Sequence, residues 1–100
     1  MKPQVKKGIL EIFVLAVLSK GESYGYQIIN DLSDTILITE STLYPILRRL
    51  LNQGELDSYN EIYQGRNRKY YRITKKGKIH LDEFMEEWES VKKIYEILRK

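Results

Sequence analysis

The chain has no cysteine. Disulfides, thiolate metal sites and cysteine nucleophiles are excluded together, and nothing demands an oxidising compartment. Histidine is nearly absent as well: His80 stands alone, so an imidazole cluster cannot form, and a catalytic base would need a partner that no motif supplies. Nucleophile–base pairs, metal-ligand spacings and phosphate-cradling glycine loops are all missing, which argues against an enzyme and against a cofactor. No linker, repeat or low-complexity tract interrupts the 100 residues, and an apolar share of 42% suits one domain with a real core.

Long hydrophobic runs are lacking too. The main one, "GILEIFVLAVL", follows Lys2, Lys6 and Lys7 in the manner of a secretory leader, but Glu11 interrupts it and "SKGESYGY" offers no small-residue cleavage site. It also falls short of the ~20 residues that span a bilayer. A buried first helix, in a cytoplasmic protein without membrane contact, is the expectation.

Negative charge is missing from one stretch in particular. "GRNRKYYRITKKGK", Gly65 to Lys78, holds seven cations in fourteen residues and no carboxylate, in a chain whose net charge is +3. Residues 1–80 carry 13 Lys/Arg against 8 Asp/Glu, whereas residues 81–100 carry 4 against 6. Such local crowding of like charge is either well solvated or faces an anion.

What is present falls into a short series of elements. Lys7 to Ser19 reads as a helix apolar nearly all round, stopped at Gly21. Ser23 is a candidate cap for a second helix, Tyr24 to Leu32, in which Gly25 signals close backbone approach. The third helix, about Glu40 to Gln53 with Thr39 or Ser41 as cap, puts Leu43, Ile46, Leu47 and Leu50 on one side and Ser41, Pro45, Arg48, Arg49 and Asn52 opposite. Pro45 is easiest to accommodate if regular helix starts near Ser41. Leu56 to Tyr63 and Lys69 to Thr74 are aromatic and β-branched, and "QGRNR" separates them as a hairpin turn. On the second strand, Tyr71 and Ile73 share one face, Tyr70 and Arg72 the other. Thr74 caps a last helix from Lys75 to about Leu98.

Three helices, a hairpin and a final helix make a mainly α fold with a small β-hairpin, a winged helix-turn-helix spanning residues 1–78. Residues 79–100 continue as a helix of the same compact unit. In this layout the third helix suits a DNA major groove, with Ser41, Thr42 and Pro45 at its exposed tip and Arg48 and Arg49 along its wet face. Tyr44 lies between the two faces and serves either core edge or DNA. Arg66, Arg68 and Lys69 at the hairpin tip answer the charge question by meeting phosphates of double-stranded DNA. Lys75 and Lys76 add to this, because cations in the first turn of a helix cost ~0.3–1 kcal/mol and a sequence serving folding alone would avoid them. The bland alternative is a solvated cationic turn beside Glu83 and Glu86.

Leu81, Phe84, Trp88, Val91, Tyr95 and Leu98 recur at the spacing of a coiled-coil seam, which predicts a homodimer through the last helix. "SYGYQI", "STLYPILRRLLNQG" and "RKYYRITKKGK", in this order and spacing, resemble the PadR family of bacterial transcriptional regulators, in its short subfamily with one carboxy-terminal helix. The resemblance covers about Gly8 to Trp88. It implies a homodimeric repressor on a pseudo-palindromic operator, and in some members a small aromatic compound at the dimer interface that relieves repression. Trp88 and Phe84 are the candidate ligand-binding residues for such a planar molecule, against the plain alternative of aromatic packing. "QGRNRK" departs from the proline-bearing wing common in the family. A winged helix that docks another protein without specific DNA binding is the competing function.

Overall fold

The computed structural model describes residues 3–100, with side chains from Lys7 onward; Lys2 and the Lys6 side chain, part of the leader-like pattern, lie outside the described residues. Helix α1 runs Pro3–Ser19, earlier than the expected start at Lys7, and buries Leu10, Val14, Leu15 and Leu18. Among the described residues no helix is long and apolar enough to cross a membrane. Glu11 is buried in the same helix, which is the polar exception in an otherwise apolar run.

After α1 comes an element that periodicity could not announce. Ser23–Tyr24 form a two-residue strand, β1, paired antiparallel with Tyr71 and Tyr70. The expected cap at Ser23 is thereby corrected: its backbone is committed to the sheet, its hydroxyl is buried without a partner, and Tyr24 precedes helix α2 (Gly25–Leu32) with no side-chain cap. The inference about Gly25 stands, since a Cβ there would lie 2.5 Å from the Tyr44 hydroxyl.

Helix α3 spans Glu40–Asn52 and buries the four residues that its periodicity singled out, Leu43, Ile46, Leu47 and Leu50. It begins at Glu40, one residue ahead of the start that would suit Pro45, which therefore sits inside the helix with no N–H to give the Ser41 carbonyl. Strand β2 (Leu56–Tyr63) and strand β3 (Arg66–Ile73) are joined by Gln64 and Gly65 alone. Both turn residues have positive φ, 51° and 77°, the handedness that matches the twist of a tight hairpin. Arg66, Asn67 and Arg68 thus belong to the strand and not to a five-residue loop as expected. The sheet order is β1-β3-β2.

Helix α4, Lys75–Arg99, starts as expected: the Thr74 hydroxyl accepts from the Gly77 N–H at 3.2 Å and donates to the Gly54 carbonyl at 2.7 Å. Its base is part of the domain, for Leu81 and Phe84 pack against the core cluster. From Met85 onward every residue is exposed, and the molecule is correspondingly elongated, 58 Å by 27 Å by 21 Å. Among the described residues this winged helix-turn-helix has four helices and a three-stranded antiparallel sheet.

Candidate nucleic-acid interface

Helix α3 turns one row of side chains to solvent. Ser41, Thr42, Tyr44, Pro45, Arg48 and Arg49 are all exposed, opposite its buried leucines and isoleucine. The row divides in two. Tyr44 leans toward the wing, while Ser41, Thr42, Pro45 and Arg49 border a groove shared with Lys7 and Leu10 of α1. At the tip, the Thr39 hydroxyl lies 2.9 Å from that of Ser41 and 3.4 Å from that of Thr42, so the hydroxyls bond to one another and no side chain caps the helix.

Between α3 and the wing lies a cleft of about 680 Å³ lined by Tyr24, Tyr26, Tyr44, Tyr71, Arg66 and Lys69 among others. Its floor is made by the glycine that α2 begins with. Tyr44, 41% exposed, sets the hydroxyl end of its ring against Gly25, with Cζ 3.0 Å from where a Cβ would be. Burial, with the Tyr44 phenol beside it, pushes the Tyr71 phenol above its ordinary value, and Arg48 pulls it back. The cleft presents tyrosine side chains and cations, a lining suited to the oxygens of an anionic backbone.

The wing cations differ in what they touch. Arg66 stands exposed next to the turn, and Lys69 is exposed with its ammonium 5.6 Å from the Tyr71 ring centre. Like Lys69, Arg68 lies within β3 and not at the tip where both were expected. Its guanidinium is sandwiched between the rings of Tyr24 at 4.0 Å and Tyr63 at 4.1 Å, and it donates to the Tyr70 hydroxyl at 3.4 Å, because the short turn returns it to the strand. Tyr70 in turn stacks on Tyr59 and meets Tyr24 edge to face, each at 5.4 Å. This outer face of the sheet is an interleaved layer of rings and guanidinium groups, with Arg72 over Tyr59 at 5.0 Å.

Two more cations, though exposed, are engaged by other elements of their own chain. Lys76 Nζ donates to the Gln53 carbonyl at 2.7 Å, at the carboxy-terminal end of α3. A cation is favoured there, which offsets its cost at the start of its own helix and gives Lys76 a role in folding apart from any DNA. Arg49 Nε lies 3.2 Å from Glu11 Oε1 as an ion pair without hydrogen-bond alignment. Lys75 remains exposed. Neither engagement was visible in the helix-by-helix pattern, because each partner sits on another element.

The last helix offers a different surface. Trp88, Val91, Ile94, Tyr95 and Leu98 are about half or more exposed, and Trp88 stacks on Phe84 with ring centres 6.3 Å apart. Leu81 and Phe84, expected in the dimer seam, contribute first to their own core. Periodicity alone missed Ile94, which lies beside the seam and is 57% exposed.

Comparison with known proteins fits this geometry. Residues 14–83 match the model of the transcriptional regulator PadR-like family. A protein of Lysinibacillus sphaericus is 32% identical over 102 residues, covering 97% of this chain and 94% of that one. A PadR-like transcriptional regulator from Bacillus cereus superposes with a TM-score of 0.84 at 32% identity, covering 97% of each chain. Bacillus subtilis PadR, solved in complex with operator DNA, superposes with a TM-score of 0.71 at 28% identity, over 77% of this chain and 45% of its own. With a family match over most of its length and a winged helix throughout, the chain belongs to the PadR-like family of transcriptional regulators and is not an enzyme.

Proposed function

We propose that the protein is a cytoplasmic homodimeric repressor. In this reading the exposed row of α3 enters the major groove at each half of a pseudo-palindromic operator, and the wing follows the adjacent backbone. The observation that carries it is the pairing of that row with a cleft of hydroxyls and the cations Arg66 and Lys69. The operator-bound Bacillus subtilis PadR supports it by similarity of fold. Dimerisation is supported by the exposed stripe of α4, whose Trp88, Val91, Tyr95 and Leu98 remain about half or more exposed in the single chain. Phe13, Ala16 and Val17 of α1, with Leu32 and the polar Lys20, Asp31 and Thr35, line a groove that offers such a stripe a second surface.

The wing and the reading helix should respond differently to substitution. Arg66→Ala or Lys69→Ala is expected to weaken binding to every duplex and to flatten the dependence on salt by about one unit per lost phosphate contact. Arg48→Ala should cost roughly 1–3 kcal/mol and relax preference at one position of each half-site. Titration of labelled duplexes at several salt concentrations checks both. A docking module that does not use DNA would show no steep loss of affinity with salt, and that result would overturn the proposal.

Relief of repression is assigned to a planar aromatic molecule at the dimer interface, stacked on Trp88 and Phe84. Glu83, Glu86, Glu87 and Glu89 flank these residues along the helix and favour a cationic ligand. A ligand of this kind alters DNA affinity only through unequal binding to two dimer geometries, for which ~1–3 kcal/mol of coupling suffices. Planar cationic dyes are expected to quench Trp88 fluorescence and to weaken operator binding together. Quenching that leaves DNA affinity unmoved would make Trp88 a packing residue.

A further inference from the structure

A chain of polar side chains runs under the domain where α3, β2 and α4 meet. Its centre is Glu55, only 5% exposed. Its hydrogen-bonding groups are divided between the carboxy-terminal end of α3 and the start of α4. Its N–H donates to the Leu50 carbonyl of α3 at 2.9 Å, and its carbonyl accepts from the Thr74 N–H before α4 at 3.0 Å. One carboxylate oxygen, Oε1, contacts Nδ1 of His80 on α4. With the Gln53 amide assigned in the orientation that satisfies both of its neighbours, its nitrogen donates to the other oxygen, Oε2, at 2.6 Å and its oxygen accepts from Arg49 Nε at 3.2 Å. Arg49 then reaches Glu11 on α1.

A buried carboxylate is costly unless paired, and similar-sized apolar groups would hold these elements together at least as well. What such groups do not supply is direction. Apolar contacts tolerate sliding, whereas hydrogen bonds fix an angle. The angle matters because α4 acts as a lever: at ~1.5 Å per residue, the part beyond His80 is roughly 28 Å long, and a tilt of about 5° moves its far end by roughly 2.5 Å. One base pair rises ~3.4 Å.

We propose that His80 and Glu55, through Gln53, are positioning residues that fix α4 against the carboxy-terminal end of α3 and thereby set the separation of the two reading helices in the dimer. This rests on the dimeric reading above. It makes the length of the gap between half-sites, as well as their base sequence, a property that the protein selects.

The full chain has no cysteine, so Glu40→Cys at the exposed start of α3 gives a single spin-label site per copy, and pulsed electron resonance then reads the α3-to-α3 distance. Wild-type residues elsewhere should give one narrow distribution. His80→Asn, which retains a side-chain N–H near the position of Nδ1, should preserve it. The double change Glu55→Leu/His80→Leu replaces the pair with apolar groups and keeps the fold, as thermal melting checks. It should broaden the distribution and reduce by roughly tenfold the discrimination between duplexes whose half-sites are one or two base pairs further apart. The duplexes derive from those that the wild-type chain recovers from a random pool. A double variant with unchanged distances and unchanged discrimination would overturn the positioning role alone. A wild-type chain that yields no distance between labels would overturn the dimer, and the positioning role with it.

Discussion

A chain ending at Glu87 is expected to be a folded monomer that binds a two-half-site duplex roughly 10²- to 10⁴-fold more weakly than the full chain, because two linked sites become independent ones. The place of the cut follows from packing. Leu81 and Phe84 rest against the core, so removal of everything from residue 81 would open the domain as well as the seam. Beyond Met85 all side chains are exposed, and their loss takes no core residue away. Sedimentation at micromolar concentration and duplex titration at fixed salt provide the measurement. Dimers that survive the truncation would show that α1 suffices for association.

Gly77→Ala should lower stability by about 1–3 kcal/mol, the usual cost of forcing atoms into a filled space. In most helices the same exchange stabilises by up to ~1 kcal/mol, so the sign is diagnostic. Gly77 is buried in the first turn of α4, where an added Cβ would collide with the Glu55 carbonyl and lie 2.8 Å from Ile73 Cγ1. Neither neighbour yields easily. The carbonyl is held by the Thr74 N–H, and Ile73 belongs to β3 and packs against the core. For a domain of this size each kcal/mol shifts the melting temperature by roughly 4–8 °C, well within calorimetric reach. Gly8→Ala in α1 is the control: among the described residues nothing lies within 4 Å of a Cβ there, and the exchange should leave the melting point unchanged or raised.

The features legible in the sequence were those that repeat. Leu43, Ile46, Leu47 and Leu50 recur at helical spacing, and all four are buried, so the wet face opposite them could be named residue by residue. Thr74 was readable as a cap because its role is local. Contacts between distant residues were not. The partner of His80 is 25 positions away, and that of Lys76 is 23 positions away, each across an element boundary that no local pattern crosses. Strand β1 is too short to alternate, so Ser23 resembled a cap by residue type alone. The wing turn was misjudged because Gln64 carries no signal for a positive φ, and this placed Arg68 at the tip. The heptad spacing of α4 was real, but one spacing serves two environments, a core at Leu81 and Phe84 and open surface beyond.

Because Arg68 is held between Tyr24 and Tyr63, the wing meets any duplex already shaped. An arginine side chain carries about 2 kcal/mol of rotamer freedom. Here that freedom is surrendered while the protein folds, not while it binds. Association then takes its thermal character from displaced ions and water, with a modest change in heat capacity in place of the large one that accompanies coupled folding.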